Sequence, residues 1–145
     1  MKLNKKGFTM VELLAAVTIL GIVTAMAVTA YTKYQEKVRY DAYEAMEKSA
    51  YSAAEIYIQD KGIVIAEGST KTIQVSTLVD GGYLPNLEDP RSKGRYCHTG
   101  SKVQVTKVSK NSGTKLESYK YVVTIKCSGY TSTREDGSTG KEFIS

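Results

Sequence analysis

The chain contains few of the residues that build metal centres and acid–base sites. Histidine occurs once, at His98, and cysteine twice, at Cys97 and Cys127. There is no C-x-x-C pair, no paired-histidine spacing, no phosphate-binding glycine loop and no nucleophile elbow, and the acidic residues near position 88 fit no calcium-loop pattern. The sequence therefore indicates no enzyme, no metal ion and no cofactor, and His98 is expected to be a surface loop residue.

Charged residues are also missing from one long stretch near the N-terminus. Phe8–Ala30 contains no Lys, Arg, Asp, Asn or Gln, and its one ionisable side chain is Glu12. As an α-helix this stretch would be about 35 Å long, against a bilayer hydrocarbon thickness of about 30 Å. The stretch can therefore cross a membrane. Lysines are denser before it, at Lys2, Lys5 and Lys6, than after it, which favours a cytoplasmic N-terminus.

A secretory signal peptide is the main alternative for this stretch. It too has a basic start and an apolar core, and Ala25-Met26-Ala27 supplies an A-x-A cleavage pattern. The mature chain would then begin near Val28, as a small secreted enzyme or inhibitor. An acidic residue inside the apolar stretch, and helical patterning that continues past the cleavage point, argue against this alternative.

Glu12 needs an explanation, because a carboxylate at membrane depth costs a few kcal/mol unless it is paired. No basic residue lies between Phe8 and Ala30, so the helix has no ion-pair partner for it, and a partner outside the helix is expected. A cut between Gly7 and Phe8 would create an α-amino group four residues before Glu12. A neighbouring subunit could present that group, and a low-dielectric setting would make the attraction strong.

The octapeptide GFTMVELL, residues 7–14, follows a short lysine-rich leader and opens the apolar helix. It resembles the processing signature of the type IV pilin and type II secretion pseudopilin family, and the resemblance covers roughly the first thirty residues. It implies that a prepilin peptidase cleaves after Gly7 and methylates the new amino group of Phe8. It also implies that Glu12 meets the N-terminus of an adjacent subunit during assembly. One departure is Thr29, which stands where family members often have a proline.

The helical pattern continues beyond the apolar stretch, and Asp60 and Gly62 predict where it ends. The expected organisation is a cleaved leader over 1–7, a transmembrane and filament-core helix over 8–30, a helix continuation over 31–62 and a head over 63–145. The residues expected to face the head's core are Tyr34, Val38, Ala42, Ala45, Ser49, Ala53 and Ile56.

The head is predicted to be a small antiparallel β-sheet on this helix, an α+β, type IV pilin-like fold. Strands are expected at 72–75, 103–109 and 119–127, with a loop at 110–113 and one helical turn capped by Ser76. The tail from Ser128 is rich in Ser, Thr and Gly and is expected to be mobile, apart from contacts made by Phe143 and Ile144.

The two cysteines predict one disulfide, because the membrane segment indicates an exported chain. A Cys97–Cys127 bond would close a loop of about 31 residues and stabilise the fold by roughly 3 to 4 kcal/mol. The alternative is a pair of buried thiols in a cytosolic protein, which the membrane segment disfavours.

Net charge is +5, and the leader lysines supply three of these charges. Between Arg91 and Lys126 there are nine Lys or Arg residues and one acid, Glu117. These cations are either solvated groups on strand faces or a surface that attracts DNA or anionic cell-surface polymers.

The sequence thus predicts a structural subunit of a type IV pilus or pilus-like filament. Its expected partners are prepilin peptidase, identical or related pilin subunits, the inner-membrane assembly machinery, membrane lipid before assembly and, as a further candidate, DNA. It is expected to be a single-pass membrane protein with a cytoplasmic N-terminus that later enters a surface filament. The alternatives are a minor pilin or a pseudopilin of a secretion or competence system, and a membrane-anchored module that binds DNA or an anionic surface ligand.

Overall fold

A computed structural model describes residues 7–108, 118–134 and 137–144. One long helix, α1, covers Met10–Asp60, and an antiparallel sheet follows it, so the α+β architecture predicted from the sequence is confirmed. The chain divides into two compact units at Val38 and Arg39. The predicted loop at 110–113 lies outside the described residues.

The first unit holds the apolar stretch, whose large side chains are exposed among the described residues. Every large apolar side chain from Phe8 to Val28 is more than half exposed, with values from 57% at Val23 to 91% at Met10. By length and composition α1 is one helix that could cross a membrane, and none of its most apolar window is buried within the protein.

The hydroxyl groups of threonines in the apolar stretch are hydrogen-bonded to the main chain of their own helix. Thr18, Thr24 and Thr29 each donate to a main-chain carbonyl three or four residues earlier, at 2.8–2.9 Å. Such bonds let a hydroxyl group sit in an apolar environment without water. At Thr29 the helix therefore continues where a proline would have removed a hydrogen bond.

The end of α1 follows the sequence prediction. The helix ends at Asp60, and Gly62 takes a left-handed conformation with φ 58°. The N–H of Ile63 then donates to the carbonyl of Ile58 at 3.0 Å, which satisfies one of the last helical carbonyls.

The elements after α1 are β1 (Thr70–Gln74), α2 (Val75–Asp80), β2 (Lys102–Val108), β3 (Ser118–Thr124), β4 (Lys126–Cys127), β5 (Tyr130–Thr131) and β6 (Lys141–Ile144). The second unit is built on a four-stranded antiparallel sheet in the order β1-β2-β3-β6. Alternate residues of the two central strands are buried, with Val103 and Val105 on β2 and Tyr121 and Val123 on β3.

The predicted strand over 119–127 is divided in two. At Ile125, which is fully buried, the chain leaves the main sheet and pairs with Ser132 instead: Ile125 N–H donates to the Ser132 hydroxyl at 2.9 Å. The next N–H, of Lys126, donates to the hydroxyl of buried Ser101 at 2.8 Å. Two serine hydroxyls thus replace the ladder bonds that a longer strand would have made.

The predictions for α2 and for the tail need correction. α2 begins at Val75, two residues earlier than a Ser76 cap implies, because Val75 and Leu78 are fully buried and set its position. The tail is not merely mobile in the part that the structure describes: β5 pairs with β4, and β6 pairs with β3. Phe143 stacks on Tyr51 at 4.9 Å between ring centroids, so its expected contact with the fold is present.

The helix face that packs on the sheet also differs from the predicted one. Of the predicted face Ala53 is buried, but Ala45, Ser49 and Ile56 are exposed. The periodicity was right and the face was rotated by about one residue, because the true face includes a tyrosine and a glutamate whose polar ends are hydrogen-bonded. The buried residues of α1 are Tyr43, Glu47, Ala50, Ala53, Ala54 and Ile58.

Two alanine-to-leucine variants distinguish the two faces. Ala54 is fully buried, so Ala54→Leu should overpack the core and lower the free energy of unfolding by about 1–3 kcal/mol. Ala45→Leu, on the exposed side of the same helix, should change it by less than about 0.5 kcal/mol. Urea unfolding of the full chain in detergent measures the free energy of unfolding of both variants. A larger loss in Ala45→Leu than in Ala54→Leu would show that the face predicted from the sequence is the buried one.

Candidate processing and assembly site

The start of α1 is closed by a reciprocal set of hydrogen bonds between Thr9 and Glu12. The Thr9 carbonyl accepts the first helical bond, from Leu13 N–H at 3.1 Å, which makes Thr9 the N-cap. The Glu12 carboxylate accepts from the Thr9 N–H and the Thr9 hydroxyl, both at 2.9 Å, and Glu12 N–H donates to the Thr9 hydroxyl oxygen at 3.3 Å. This arrangement is a capping box.

Glu12 therefore has hydrogen-bond partners within its own chain that were not predicted, and the expected charged partner outside the helix stays a prediction. Thr9 provides two hydrogen bonds from the same chain, and the T-x-x-E spacing at residues 9–12 was the sequence pattern that indicated it. Threonine carries no charge, however, so Glu12 is hydrogen-bonded without being neutralised.

The predicted cleavage point lies just before this cap. Gly7 and Phe8 precede α1, both are exposed, and a β-carbon added to Gly7 would meet no atom within 4 Å. The bond between the two residues is thus open to a protease. Since the cap uses the N–H of Thr9 and not that of Phe8, a cut after Gly7 leaves every group of the cap in place.

A second set of polar contacts lies in the second unit around Asp89, which is 2% exposed. One carboxylate oxygen accepts from the Tyr43 hydroxyl at 2.8 Å and from Arg91 N–H at 2.9 Å, and the other accepts from Ser128 N–H at 3.1 Å. Burial raises the pKa of Asp89, but these three hydrogen bonds outweigh it and hold the pKa below its usual range. Asp89 thus joins α1, its own loop and the β4–β5 turn.

Glu47 and Tyr130 make a parallel link beside it. The Tyr130 hydroxyl donates to buried Glu47 at 2.9 Å, and the Tyr130 ring stacks on Tyr43 at 3.8 Å. Burial and the neighbouring carboxylate together raise the pKa of each tyrosine, to about 12 for Tyr43. Both hydroxyls therefore stay protonated as donors at neutral pH. The cluster was not predicted from the sequence, because its members are far apart along the chain.

Cys97 and Cys127 form a disulfide, with their α-carbons 4.6 Å apart. Together with Asp89 they are the potential metal-ligating side chains that come together within the described residues. Both sulfurs are used in the disulfide, and the Asp89 oxygens are occupied by hydrogen bonds. These residues therefore do not suit a metal ion.

His98 and Lys120 both make contacts within the chain. His98 is partly buried, and its Nε2 accepts from Leu87 N–H at 3.3 Å. Lys120 forms an ion pair with Glu142 at 2.9 Å, so at least one cation between Arg91 and Lys126 is paired with an acidic residue. Binding of DNA to this segment stays a prediction.

Comparison with known proteins finds a family motif at the N-terminus and relatives over more than half of the chain. The family described as the prokaryotic N-terminal methylation motif matches residues 2–28, which include the cleavage point and the cap. The type IV major pilin protein PilE of Neisseria gonorrhoeae is 26% identical over 84 residues, 58% of this chain and 50% of that protein. The fimbrial protein EcpC of Eikenella corrodens is 30% identical over 87 residues, 60% of this chain and 56% of that protein.

The N-terminal motif and the similarity to type IV pilins and fimbrial proteins support the type IV pilin family for this chain. The members of this family are structural proteins and not enzymes. The chain spans about half the length of the curated relatives that it matches. No solved structure matches it.

The Asp89 contacts can be tested by Asp89→Asn. An amide offers one acceptor oxygen where the carboxylate offers two, so the free energy of unfolding at pH 7 should fall by about 1–3 kcal/mol. The exposed Asp41→Asn is the matched control and should change it by less than about 0.5 kcal/mol.

The pH dependence gives a second readout for the same variant. Because the folded pKa of Asp89 lies below the unfolded value of about 3.9, its stabilising effect is complete above that pH and is lost as pH falls through the folded pKa. Urea unfolding below pH 4 should therefore depend less on pH in Asp89→Asn than in the wild type. Equal slopes would show that Asp89 is not held in its charged form.

Proposed function

We propose that this chain is the structural subunit of a type IV pilus or pilus-like filament. The observation that carries the proposal is the first half of α1, whose large apolar side chains are all more than half exposed. At about 25 cal/mol per Å², so much uncovered apolar surface strongly favours a partner. The subunit is anchored in the membrane by this half and later contributes it to the filament.

Lipid is the first partner of the apolar half. Its length and hydropathy suit a single span, and its threonine hydroxyls are satisfied within the helix. The lysine-rich leader places the N-terminus in the cytoplasm and the sheet-bearing unit outside. A prepilin peptidase at the membrane then removes residues 1–7 and methylates the amino group of Phe8.

Other copies of the same helix are the second partner. Small side chains allow two helix backbones to approach closely, and apolar packing replaces lipid contacts when subunits leave the membrane. The inner-membrane assembly machinery carries out this transfer. The small residues of the apolar half are Ala16, Thr18, Gly21, Thr24, Ala25 and Ala27.

Glu12 gives the packed helices their register. The cap satisfies part of its hydrogen-bonding capacity but leaves its charge, which is costly between apolar helices. The amino group of Phe8 on an adjacent subunit is the opposite charge that processing creates. A helix whose Glu12 meets that group is favoured over one shifted along its neighbour.

The relatives favour a surface pilus over a secretion pseudopilin. Those with significant similarity are named as a major pilin and as fimbrial proteins. A minor pilin or a competence pseudopilin is the second candidate, and the abundance of the subunit in sheared filaments distinguishes the two.

The cap and the charge of Glu12 can be separated by two substitutions. Glu12→Gln keeps an acceptor of capping-box geometry and removes the charge. Membrane levels should be unchanged, and the yield of sheared filaments should fall at least about tenfold, because the ion pair with the next subunit is lost in a low-dielectric setting. Immunoblots of the membrane and sheared fractions, from cells that express the pilus system, measure both.

Thr9→Ala is the matched control, because it removes the cap side chain and keeps the charge. It should weaken the first turn by about 1 kcal/mol and still yield filaments. If Glu12→Gln assembles normally while Thr9→Ala does not, Glu12 acts as a helix cap and the proposed inter-subunit pairing is wrong. If neither protein reaches the membrane, the anchoring role of the apolar half is wrong.

A further inference from the structure

One loop of the second unit concentrates positive charge in a way that the pilin function does not explain. We call residues 91–96 the cationic loop. Arg91, Lys93 and Arg95 are all exposed, and no acidic residue occurs from Arg91 to Lys107. Three cations within five residues form a compact target for anions.

The cationic loop is held in one conformation by hydrogen bonds at its base. Asp89 N–H donates to the Arg95 carbonyl and Cys97 N–H to the Leu87 carbonyl, both at 2.8 Å. The nearest exposed acid, Glu88, accepts from Gly94 N–H at 2.7 Å. The three cations are therefore presented on a fixed frame, and an anion that binds there does not have to order the loop.

Tyrosines accompany these cations. Tyr96 belongs to the cationic loop and is 56% exposed, and Tyr40 of α1 is 55% exposed. The Arg91 guanidinium lies over the Tyr40 ring, 5.9 Å from its centroid. Exposed tyrosine beside Lys and Arg is the composition found where proteins meet the headgroup layer of a membrane, because the ring is apolar and the hydroxyl is polar.

Only a short length of chain joins the cationic loop's contacts to the apolar stretch. Tyr40, which Arg91 contacts, follows the end of the apolar stretch at Ala30 by ten residues. A second link to the same region is the hydrogen bond between Tyr43 and Asp89. Ten residues span at most about 36 Å, so in a chain held in a bilayer by Phe8–Ala30 the tether limits how far this part of the second unit can move from the membrane.

We infer that the cationic loop binds the anionic phospholipid headgroups of the membrane that holds the subunit before assembly. This inference rests on the membrane stage of the proposed function. Arginine and lysine donate charge-assisted hydrogen bonds to phosphodiester oxygens, and anionic lipid supplies these oxygens at high local density. The contact orients the second unit while the subunit waits to be extracted, and extraction breaks it.

Lipid explains the cationic loop better than DNA does. A duplex spans several helical turns of phosphate and favours an extended basic surface. The cationic loop instead groups three cations within five residues, and on the sheet Lys120 is paired with Glu142. A compact basic and tyrosine-bearing loop, joined to a membrane span by a short length of chain, suits a headgroup layer.

The test measures how fast Lys93 reacts with a water-soluble amine-acylating reagent in the full chain, held in nanodiscs. One set of discs contains phosphatidylcholine alone, and the other contains one quarter phosphatidylglycerol. Mass spectrometry of peptides reads each lysine separately. Lys71, exposed on β1, is the internal control.

We expect phosphatidylglycerol to slow acylation of Lys93 by about threefold or more and to leave Lys71 unchanged. Raising the salt to 1 M, where the Debye length is about 3 Å, should abolish the difference. The double variant Arg91→Gln/Arg95→Gln should also reduce it, whereas Lys71→Gln should not.

Three results would overturn the inference. Equal Lys93 rates in both kinds of disc, each holding integrated protein, would show that the cationic loop ignores anionic lipid. Protection of Lys93 by a 20-base-pair duplex but not by phosphatidylglycerol would assign the loop to DNA. Failure of the chain to integrate into either disc would overturn the membrane stage of the proposed function and this inference with it.

Discussion

The structure depends on one constraint: the large apolar side chains of the first half of α1 are exposed among the described residues. Side chains such as Leu20 and Ile22 are more than half exposed along the whole stretch. An apolar surface of this extent requires lipid or another apolar helix in place of water. The cap at Thr9, the threonine hydroxyls bonded back to the helix and the small residues all fit a helix that exchanges the first of these partners for the second.

In the proposed function the apolar half of α1 exchanges lipid for other helices. The second unit is small and has to stay folded through this exchange. Its core packs the alanines of α1 against Val103, Val105 and Val123, and a covalent link and buried carboxylates reinforce it. Asp89 is the central polar group, because its oxygens bind main-chain or side-chain donors from three separate segments. The hydrogen bonds to this buried carboxylate fix the three segments relative to one another, because a donor left unpaired in the interior lowers the free energy of unfolding.

The sequence predicted what depends on local pattern and missed what depends on distant contacts. The apolar stretch, the end of α1 at Asp60 and the two central strands follow from periodicity and from Gly62. The buried face of α1 was misplaced, because Glu47 looks like a solvent residue until Tyr130, far along the chain, supplies its donor. The division at Ile125 was missed for the same reason. At the candidate site the cleavage point and Glu12 were predicted from the motif, whereas the T-x-x-E cap was present in the sequence and not recognised.

The most direct test of this account is intact-mass and N-terminal analysis of the protein recovered from cell membranes. If the apolar half is retained and the leader removed, the mature chain begins at Phe8 and is one methyl group heavier than its sequence. A chain that begins near Val28 would show that the apolar half is discarded as a signal peptide. That result would contradict the account, because no uncovered surface would then remain to drive membrane anchoring or assembly.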